Sequence, residues 1–294
     1  MRNDKKEIMA NLKEIRNRIA SVSSTMQITS AMKMVSAAKL KKAQDAITAM
    51  RPYANKLTEL LQSLSATLDA DSGSKFSTQR DIKKVLIVAV TSNRGLCGAF
   101  NSNIIKEVAK LTSQKFGNQE VYYLAIGKKA NDAFKKTNRV IANKSSVYDD
   151  LTFDNVAEIA ELLMDKFVAG EFDKIEIVYN KFKNAATQEL MTEQFLPIVP
   201  IEGNANLNLD YIFEPSKAEI VEQLIPKSLK TQLYKSIRDS FASEHGARMT
   251  AMHKATDNAT ELRDQLKRTY NKARQASITN EILEIVGGAE ALSN

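Results

Sequence analysis

The sequence predicts two long terminal helices that pair as an antiparallel coiled coil, joined by a central α/β domain with a mainly parallel sheet. Residues 1–51 contain neither Gly nor Pro, residues 227–286 contain a single Gly and no Pro, and strand-like and helix-like segments alternate between them. Gly and Pro disfavour helix interiors, so their scarcity favours long helices. With 294 residues, of which 43% are hydrophobic, the chain is long enough to bury a substantial core.

The N-terminal segment has a heptad pattern. Its apolar residues are spaced alternately by four and three, at Ile8, Leu12, Ile15, Ile19, Val22 and Met26. That spacing is the seam of a coiled coil. The next heptad positions hold Thr29, Lys33 and Ser36, whereas the neighbouring apolar residues are Ile28, Met32 and Val35. We therefore predict a local phase shift of the seam here.

The C-terminal segment has a narrower, Ala-rich stripe. Its members are Leu233, Ile237, Phe241, Met249, Met252, Ala255, Ala259, Leu262, Leu266, Ala273 and Ala276. An exposed stripe must be buried against something, and the simplest partner is the N-terminal helix. The predicted boundaries are a first coiled-coil helix over 1–69, with a kink or restart at Pro52, an α/β domain over 70–215, and a second coiled-coil helix over 216–294.

The central region alternates strands with helices, as βαβ units do. Strands are predicted over 83–90, 120–126, 174–180 and 187–199, and helices over 103–112, 127–137 and 155–168. Residues 70–82 and 203–209 are expected to be polar connections. This pattern predicts a Rossmann-like domain with a mainly parallel sheet.

The loop from Ser92 to Gly98 lies between the first predicted strand and helix, where α/β folds often bind phosphate. Arg94 could bind an anion there, but the loop lacks the spacing of either glycine-rich nucleotide motif. Cys97 could be a nucleophile, although a buried thiol is the simpler interpretation. His245 and His253 are eight residues apart, which is too far along a helix for one metal ion. No cofactor or catalytic residue is therefore predicted.

Charge and composition restrict the class of protein. Residues 1–51 hold eleven Lys or Arg residues against four Asp or Glu residues, so the first helix is strongly basic. Its run of Lys39, Lys41 and Lys42 lacks the interleaved aromatic residues of many nucleic-acid binders, which favours either a solvated helix face or one that meets an acidic protein. The longest uncharged apolar run, Val85–Val90, is far too short to span a membrane. The charged amino terminus shows no secretory signal, and a single cysteine excludes an internal disulfide.

Four segments of the chain resemble a known family. They are LKEIRNRIASVSSTMQITSAMKMVSAAKL (12–40), SNRGLCGAFN (92–101), SEHGARMTAMHKATDNA (243–259) and YNKARQASITNEILEIVGGAEAL (270–292). In their order and spacing they resemble the gamma subunit of the F-type, rotary ATP synthase. The terminal signature is carried by Ile278, Thr279, Glu281, Glu284, Gly288 and Ala289.

The resemblance implies a non-catalytic rotor shaft. In this family the paired terminal helices enter a hexamer of alternating alpha and beta subunits, while the α/β domain lies near the epsilon subunit and the membrane ring of c subunits. Proton-driven rotation of the shaft then cycles the catalytic beta subunits. By length, the chain resembles a bacterial form, peripheral on the cytoplasmic face of the inner membrane.

The resemblance also assigns contact residues. Contacts with the beta subunit are expected at Met32, Lys33, Arg274, Gln275 and Thr279. An apolar bearing at the top of the hexamer is expected from Ile282, Leu283, Ile285, Val286, Ala289 and Leu292. Ser24, Gln27 and Ser30 depart from the Asn, Lys and Lys of many relatives, which removes positive charge near the expected beta contact.

Two other functions stay open from the residues alone. One is a stand-alone α/β enzyme that uses Arg94 and Cys97, with coiled-coil arms for dimerisation. The other is a basic coiled-coil protein that binds nucleic acid.

Overall fold

The computed structural model describes residues 2–65, 75–198 and 217–293 of the chain. Its main helices are α1 (Arg2–Ser65), α2 (Phe100–Lys110), α3 (Lys128–Phe134), α4 (Phe153–Val168) and α5 (Lys217–Ser293). Its strands are β1 (Lys84–Val90), β2 (Glu120–Ile126), β3 (Val140–Asn143), β4 (Lys174–Phe182) and β5 (Gln188–Leu196). The chain divides into two compact units, Met1–Val35 with Thr250–Asn294, and Ser36–Met249.

The sheet of the second unit has the order β3-β2-β1-β4-β5. β1 pairs in parallel with β2 and β4, and β2 pairs in parallel with β3, whereas β5 runs antiparallel to β4. The predicted mainly parallel sheet is therefore confirmed. Strand β3 was not predicted, because it has only four residues, and its apolar run of Val140, Ile141 and Ala142 is too short to distinguish a strand from a loop in the sequence.

Helices cover both faces of this sheet. The alternating side chains of β1 show the division, because Ile87 and Ala89 face α2 and α3 while Val88 and Val90 face α4 and α5. The α5 residues in the core on that face are Ile225, Leu229, Leu233 and Ile237. Parallel strands buried on both faces explain the continuous apolar runs of β1 and β2.

Helices α1 and α5 also pack against each other in the second unit. Leu40, Ala43 and Ile47 of α1 form one cluster with Ala242 of α5 and Phe182 of β4. The α1 members are spaced by three and four residues, as in a heptad seam. Pro52 lies inside α1, so the helix does not restart there; Ala54 and Leu57 beyond it are buried, and their packing favours continuation.

The first unit is an antiparallel helix pair. Thr256 donates a hydrogen bond to Thr29 over 2.8 Å, Arg263 approaches Met26 Sδ at 3.5 Å, and Arg16 donates to Tyr270 over 2.7 Å. The residue number rises along α5 as it falls along α1. This order confirms the predicted antiparallel coiled coil.

The predicted phase shift of the α1 seam is wrong. Thr29 and Ser36 are 9% and 2% exposed, whereas Ile28 and Val35 are 60% and 57% exposed. The heptad therefore continues through small polar residues. A hydroxyl can occupy the seam here because the Thr29 side chain accepts a hydrogen bond from the facing helix, which satisfies a polar group that is otherwise costly to bury.

The predicted stripe of α5 needs a similar correction. Leu262 is 39% exposed and Ala276 is also exposed. Instead, Thr256, Arg263 and Tyr270 take seam positions together with the buried Ala259. Each of the three polar residues contacts a residue of α1, so polar contacts across the pair fix its register.

The continuous seam predicts that two truncations on α1 lower the free energy of unfolding by different amounts. Ile47→Ala removes a side chain that is 3% exposed and should lower the free energy of unfolding by about 2–4 kcal/mol, because a cavity forms in the core. Val35→Ala should change it by less than about 0.5 kcal/mol, as for other exposed positions. Urea unfolding followed by circular dichroism measures both, and equal losses would contradict this seam.

Candidate partner-binding surfaces

The β1–α2 loop uses its polar groups internally. The Ser92 amide donates to Asn101 Oδ1 over 2.9 Å, and Asn101 Nδ2 donates to Ser92 Oγ over 2.8 Å. Asn93 Nδ2 donates to the Ser145 carbonyl over 3.0 Å, and Asn93 Oδ1 accepts from the Lys128 amide. These bonds hold the beginning of the loop as a folded turn. Its polar groups bind within the protein, which argues against an anion-binding loop.

Cys97 is buried within this turn. Its thiol is 1% exposed and lies 3.2 Å from Asn101 Nδ2. Burial raises the pKa of the Cys97 thiol, against a smaller opposing effect of the Ser92 hydrogen bond. The predicted burial of this thiol is confirmed. A reactive cysteine requires the opposite shift of its pKa, so this setting argues against the enzyme hypothesis.

A buried ion pair on α5 meets the same loop. Arg248 Nη1 lies 2.7 Å from Glu244 Oε1, and both side chains are under 10% exposed. Arg248 also donates to the carbonyl oxygens of Arg94 and Gly95. Burial raises the pKa of Glu244, and Arg248 opposes that rise. Sequence reasoning missed this site because a Glu–Arg pair four residues apart on a helix has the spacing of an ordinary surface pair.

His245 lies beside this pair in an apolar setting. It is 5% exposed, and its ring meets that of Phe241 edge-on at 4.5 Å. Its Nε2 is buried without a hydrogen-bond partner. Burial, together with the positive charges of Arg248 and Lys39, lowers the pKa of His245 to about 3. Among the described residues there is no cluster of three or more groups that could hold a metal ion.

The predicted beta contact on α1 lies next to an apolar surface. Met32 and Lys33 are half-buried, whereas Ile28, Met34 and Val35 are 57–68% exposed. We call these three exposed residues the α1 outer face. Sequence reasoning placed Ile28 and Val35 inside the seam and therefore missed them as surface residues; a strict count of heptads would have excluded them.

The end of α5 is also exposed and apolar. Ile282, Leu283, Ile285 and Val286 are 54–71% exposed, and every described side chain over residues 281–289 is exposed, including Ala289. The side chain of Leu292 lies outside the described residues. We call Ile282, Leu283, Ile285 and Val286 the α5 end face. Clustered apolar exposure of this kind marks protein–protein interaction sites.

The three polar residues predicted to contact beta precede this face. Arg274, Gln275 and Thr279 are all exposed. The Thr279 hydroxyl donates to the Gln275 carbonyl over 3.0 Å, which is a bond within one helix. The exposed side chains of Arg274 and Gln275 carry N–H donors that a partner can use.

Comparison with known proteins connects these surfaces to a family. The family model described as ATP synthase matches residues 11–292. The ATP synthase gamma chain of Flavobacterium psychrophilum is 76% identical over 285 residues, covering 97% of this chain and 99% of the relative. This chain belongs to the ATP synthase gamma chain family. The gamma chain of Flavobacterium johnsoniae is 72% identical over 286 residues, covering 97% of this chain and all of the relative.

Solved structures share the fold of this chain. A chain of the rotor of the Euglena gracilis mitochondrial ATP synthase matches with a TM-score of 0.66 at 23% identity, covering 92% of this chain and 99% of that one. A chain of the central stalk and c-ring structure from Tetrahymena thermophila matches with a TM-score of 0.59 at 23% identity, covering 78% and 99%. The predicted family and fold class are therefore confirmed.

The buried His245 predicts a loss of stability in mild acid. The unfolded chain takes up a proton near the ordinary histidine pKa of about 6.5, whereas the folded protein takes it up only near pH 3. Unfolding is therefore favoured as the pH falls between these values. From pH 7.5 to pH 5 the loss should be about 2 kcal/mol.

His245→Gln should remove this part of the pH dependence, measured as the free energy of unfolding in urea at each pH. His253→Gln is the matched control, because His253 is exposed and paired with Asp257. An unchanged pH dependence in His245→Gln would show that this buried imidazole does not cause the loss.

Proposed function

We propose that this chain is the rotor shaft of a bacterial ATP synthase and turns inside a hexamer of alternating alpha and beta subunits. It is a non-catalytic, central-stalk subunit of the F-type enzyme. The supporting observation is that both long helices present large apolar side chains to solvent, on the α1 outer face and the α5 end face. In this function those faces contact the hexamer.

The α5 end face has the chemistry of a bearing. Aliphatic side chains contact a wall through dispersion and the exclusion of water, neither of which depends strongly on direction. Hydrogen bonds require aligned donors and acceptors, so they would favour particular angles of rotation. We therefore assign Ile282, Leu283, Ile285, Val286, Ala289 and Leu292 to an apical bearing.

The α1 outer face is a second surface that we propose contacts the hexamer. Ile28, Met34 and Val35 flank Met32 and Lys33, and the exposed Lys39, Lys41 and Lys42 follow along the helix. We propose that this apolar and basic surface contacts an acidic segment of beta. Exposed ion pairs contribute only about 0–1 kcal/mol each, so the apolar residues should provide most of the affinity.

Arg274, Gln275 and Thr279 are proposed to contact a loop of beta by hydrogen bonds. Such a contact is directional, so it differs between the three beta subunits at any one angle of the shaft. An effector acts on a multistate partner through differences of this kind, by favouring the conformation to which it binds best. Rotation would then move each catalytic site through its conformations in turn while the shaft performs no chemistry.

The α/β domain is proposed to form the foot of the shaft, against the epsilon subunit and the ring of c subunits. Ion flow through the membrane sector would turn the ring and the shaft together. Among the described helices, none has the length and apolar character to cross a membrane. The chain is a peripheral subunit of its complex, and we propose the cytoplasmic face of the inner membrane as its site.

A tagged chain purified gently from its own membranes and analysed by native mass spectrometry tests this function. We expect one copy with three alpha and three beta subunits, in a complex that hydrolyses ATP. A self-dimer, or a complex with nucleic acid, would contradict the proposal. A nucleic-acid complex would also show a steep dependence on salt.

Charges on the α5 end face should weaken assembly. Leu283→Asp with Ile285→Asp places two carboxylates where we propose an apolar wall, and burying them should lower the affinity for the alpha–beta hexamer at least about tenfold, or 1.4 kcal/mol. Lys136→Asp in the α/β domain, also an exposed position, is the control. Titration of the hexamer measures the affinity, and equal affinity of variant and control would refute the bearing assignment.

Polar substitution of the α1 outer face should weaken the coupling between ATP hydrolysis and proton pumping. Ile28→Ser, Met34→Ser and Val35→Ser together should reduce ATP-driven proton pumping more than ATP hydrolysis in the assembled enzyme, because the face contacts beta but builds no catalytic pocket. The helix itself should stay folded, since all three side chains are largely exposed. Lys13→Ser, also exposed on α1, is the control, and an unchanged ratio of pumping to hydrolysis would exclude this face as a coupling contact.

A further inference from the structure

The order of the sheet places a crevice at the carboxyl ends of β1 and β4. The chain leaves β1 towards β2 and β3 on one side, then returns to β4 on the other side of β1. In open α/β sheets, ligands bind where the connections diverge in this way. In this protein, side chains of α5 meet the residues around that crevice.

Helix α5 approaches the end of β4 closely. The Ser243 hydroxyl donates to the Asn180 carbonyl over 3.0 Å. A Cβ added at Gly246 would lie 3.2 Å from the Ala185 carbonyl oxygen and 3.3 Å from Ala185 Cα. Such contacts are tighter than a side chain normally tolerates, so glycine permits the helix backbone to come this near.

Arg248 connects α5 to the other side of the crevice. Its Nη2 donates to the Arg94 carbonyl over 3.1 Å and to the Gly95 carbonyl over 3.3 Å, and its Nε reaches the Gly95 carbonyl at 3.4 Å. Its remaining nitrogen, Nη1, donates to Glu244 Oε1 over 2.7 Å. The planar fork of arginine suits this simultaneous binding, whereas a lysine ammonium presents a single point of charge.

The part of the loop that Arg248 binds is conformationally strained. Leu96 has φ 64°, in the left-handed region that side chains other than glycine and asparagine rarely adopt. Its side chain is 64% exposed, so burial of the leucine does not explain the conformation. Strained residues persist when their surroundings hold them in place, and they are found at switches and clamps.

We propose that Arg248 is a lock that holds the loop tip, residues 94–98, in its strained closed conformation. When the guanidinium leaves the Arg94 and Gly95 carbonyls, the tip relaxes and exposes Cys97 while the sheet stays folded. The closed loop thereby depends on the position of α5, since hydrogen bonds weaken steeply with distance and angle and those of Arg248 are already 3.1–3.4 Å long. The proposal concerns the isolated chain and does not rest on the proposed rotor function.

Cys97 is a natural reporter of this opening, because it is the single cysteine of the chain and is 1% exposed in the closed loop. We would measure the rate of thiol labelling by a disulfide reagent in the full-length protein under native conditions. Arg248→Ala should raise this rate at least about tenfold, corresponding to a shift of 1.4 kcal/mol in the opening equilibrium. Arg268→Ala, which removes an exposed arginine of the same helix, should leave it within twofold.

The strain gives a second and more specific test. Leu96→Gly removes the conformational cost of positive φ, so in the Arg248→Ala background it should lower the labelling rate at least threefold towards that of the unmodified protein. A residue that merely stabilised the whole domain would, when truncated, raise hydrogen exchange equally in β2 and at the loop tip. Hydrogen exchange should rise at residues 94–98 while β2 keeps its protection.

Three results would overturn the lock. They are a labelling rate in Arg248→Ala within twofold of the unmodified protein, no rescue by Leu96→Gly, or equal loss of protection in β2 and the loop tip. If Arg248→Ala does not fold, Arg248→Lys replaces it, since the ammonium keeps a positive charge opposite Glu244 but loses the fork. The same rate comparison and the same rescue then decide the proposal.

Discussion

Burial of a heptad seam is the constraint on which the two terminal helices depend. A helix of 64 or 77 residues exposes a long apolar stripe if it stands alone, and most helical stability in proteins comes from packing such a stripe. In each compact unit, α1 and α5 satisfy this requirement against one another. Packing also explains how α1 runs through Pro52 and α5 through Pro226, because buried residues beside each proline offset the lost backbone hydrogen bond.

Polar residues within the seam determine which register is adopted. Within the seam Thr256 donates to the buried Thr29, and at the surface Arg16 donates to Tyr270; a slipped register would break both hydrogen bonds. A buried polar position commonly selects register in coiled coils at some cost in stability. Because Thr29 and Ser36 occupy the seam, Ile28 and Val35 lie outside it and are exposed. The arrangement of residues that sets the register of the helix pair therefore also creates the α1 outer face.

The architecture could be predicted from the sequence because it depends on local patterns. The absence of helix breakers, the spacing of three and four, and the apolar runs of β1, β2 and β4 each reflect a single element. The seam near Thr29 could not be predicted in this way, since ranking residues by hydrophobicity favours Ile28, and the partner that satisfies Thr29 is 227 positions away. Nor could the link from Arg248 to Gly95, which exists only once sheet and helix have packed. The family resemblance named the contact residues, and their placement in a complex remains a prediction.

The α5 end face has a consequence for the chain before it meets any other subunit. Four large, exposed aliphatic side chains in the last turns of α5 attract apolar surface on other copies as well as on a hexamer. Newly made copies would adhere end to end, or to unrelated proteins, if they accumulated alone. Synthesis of this chain should therefore be matched in time and amount to that of the subunits that cover the face. The solubility of this chain therefore depends on how soon the subunits that cover the face are present.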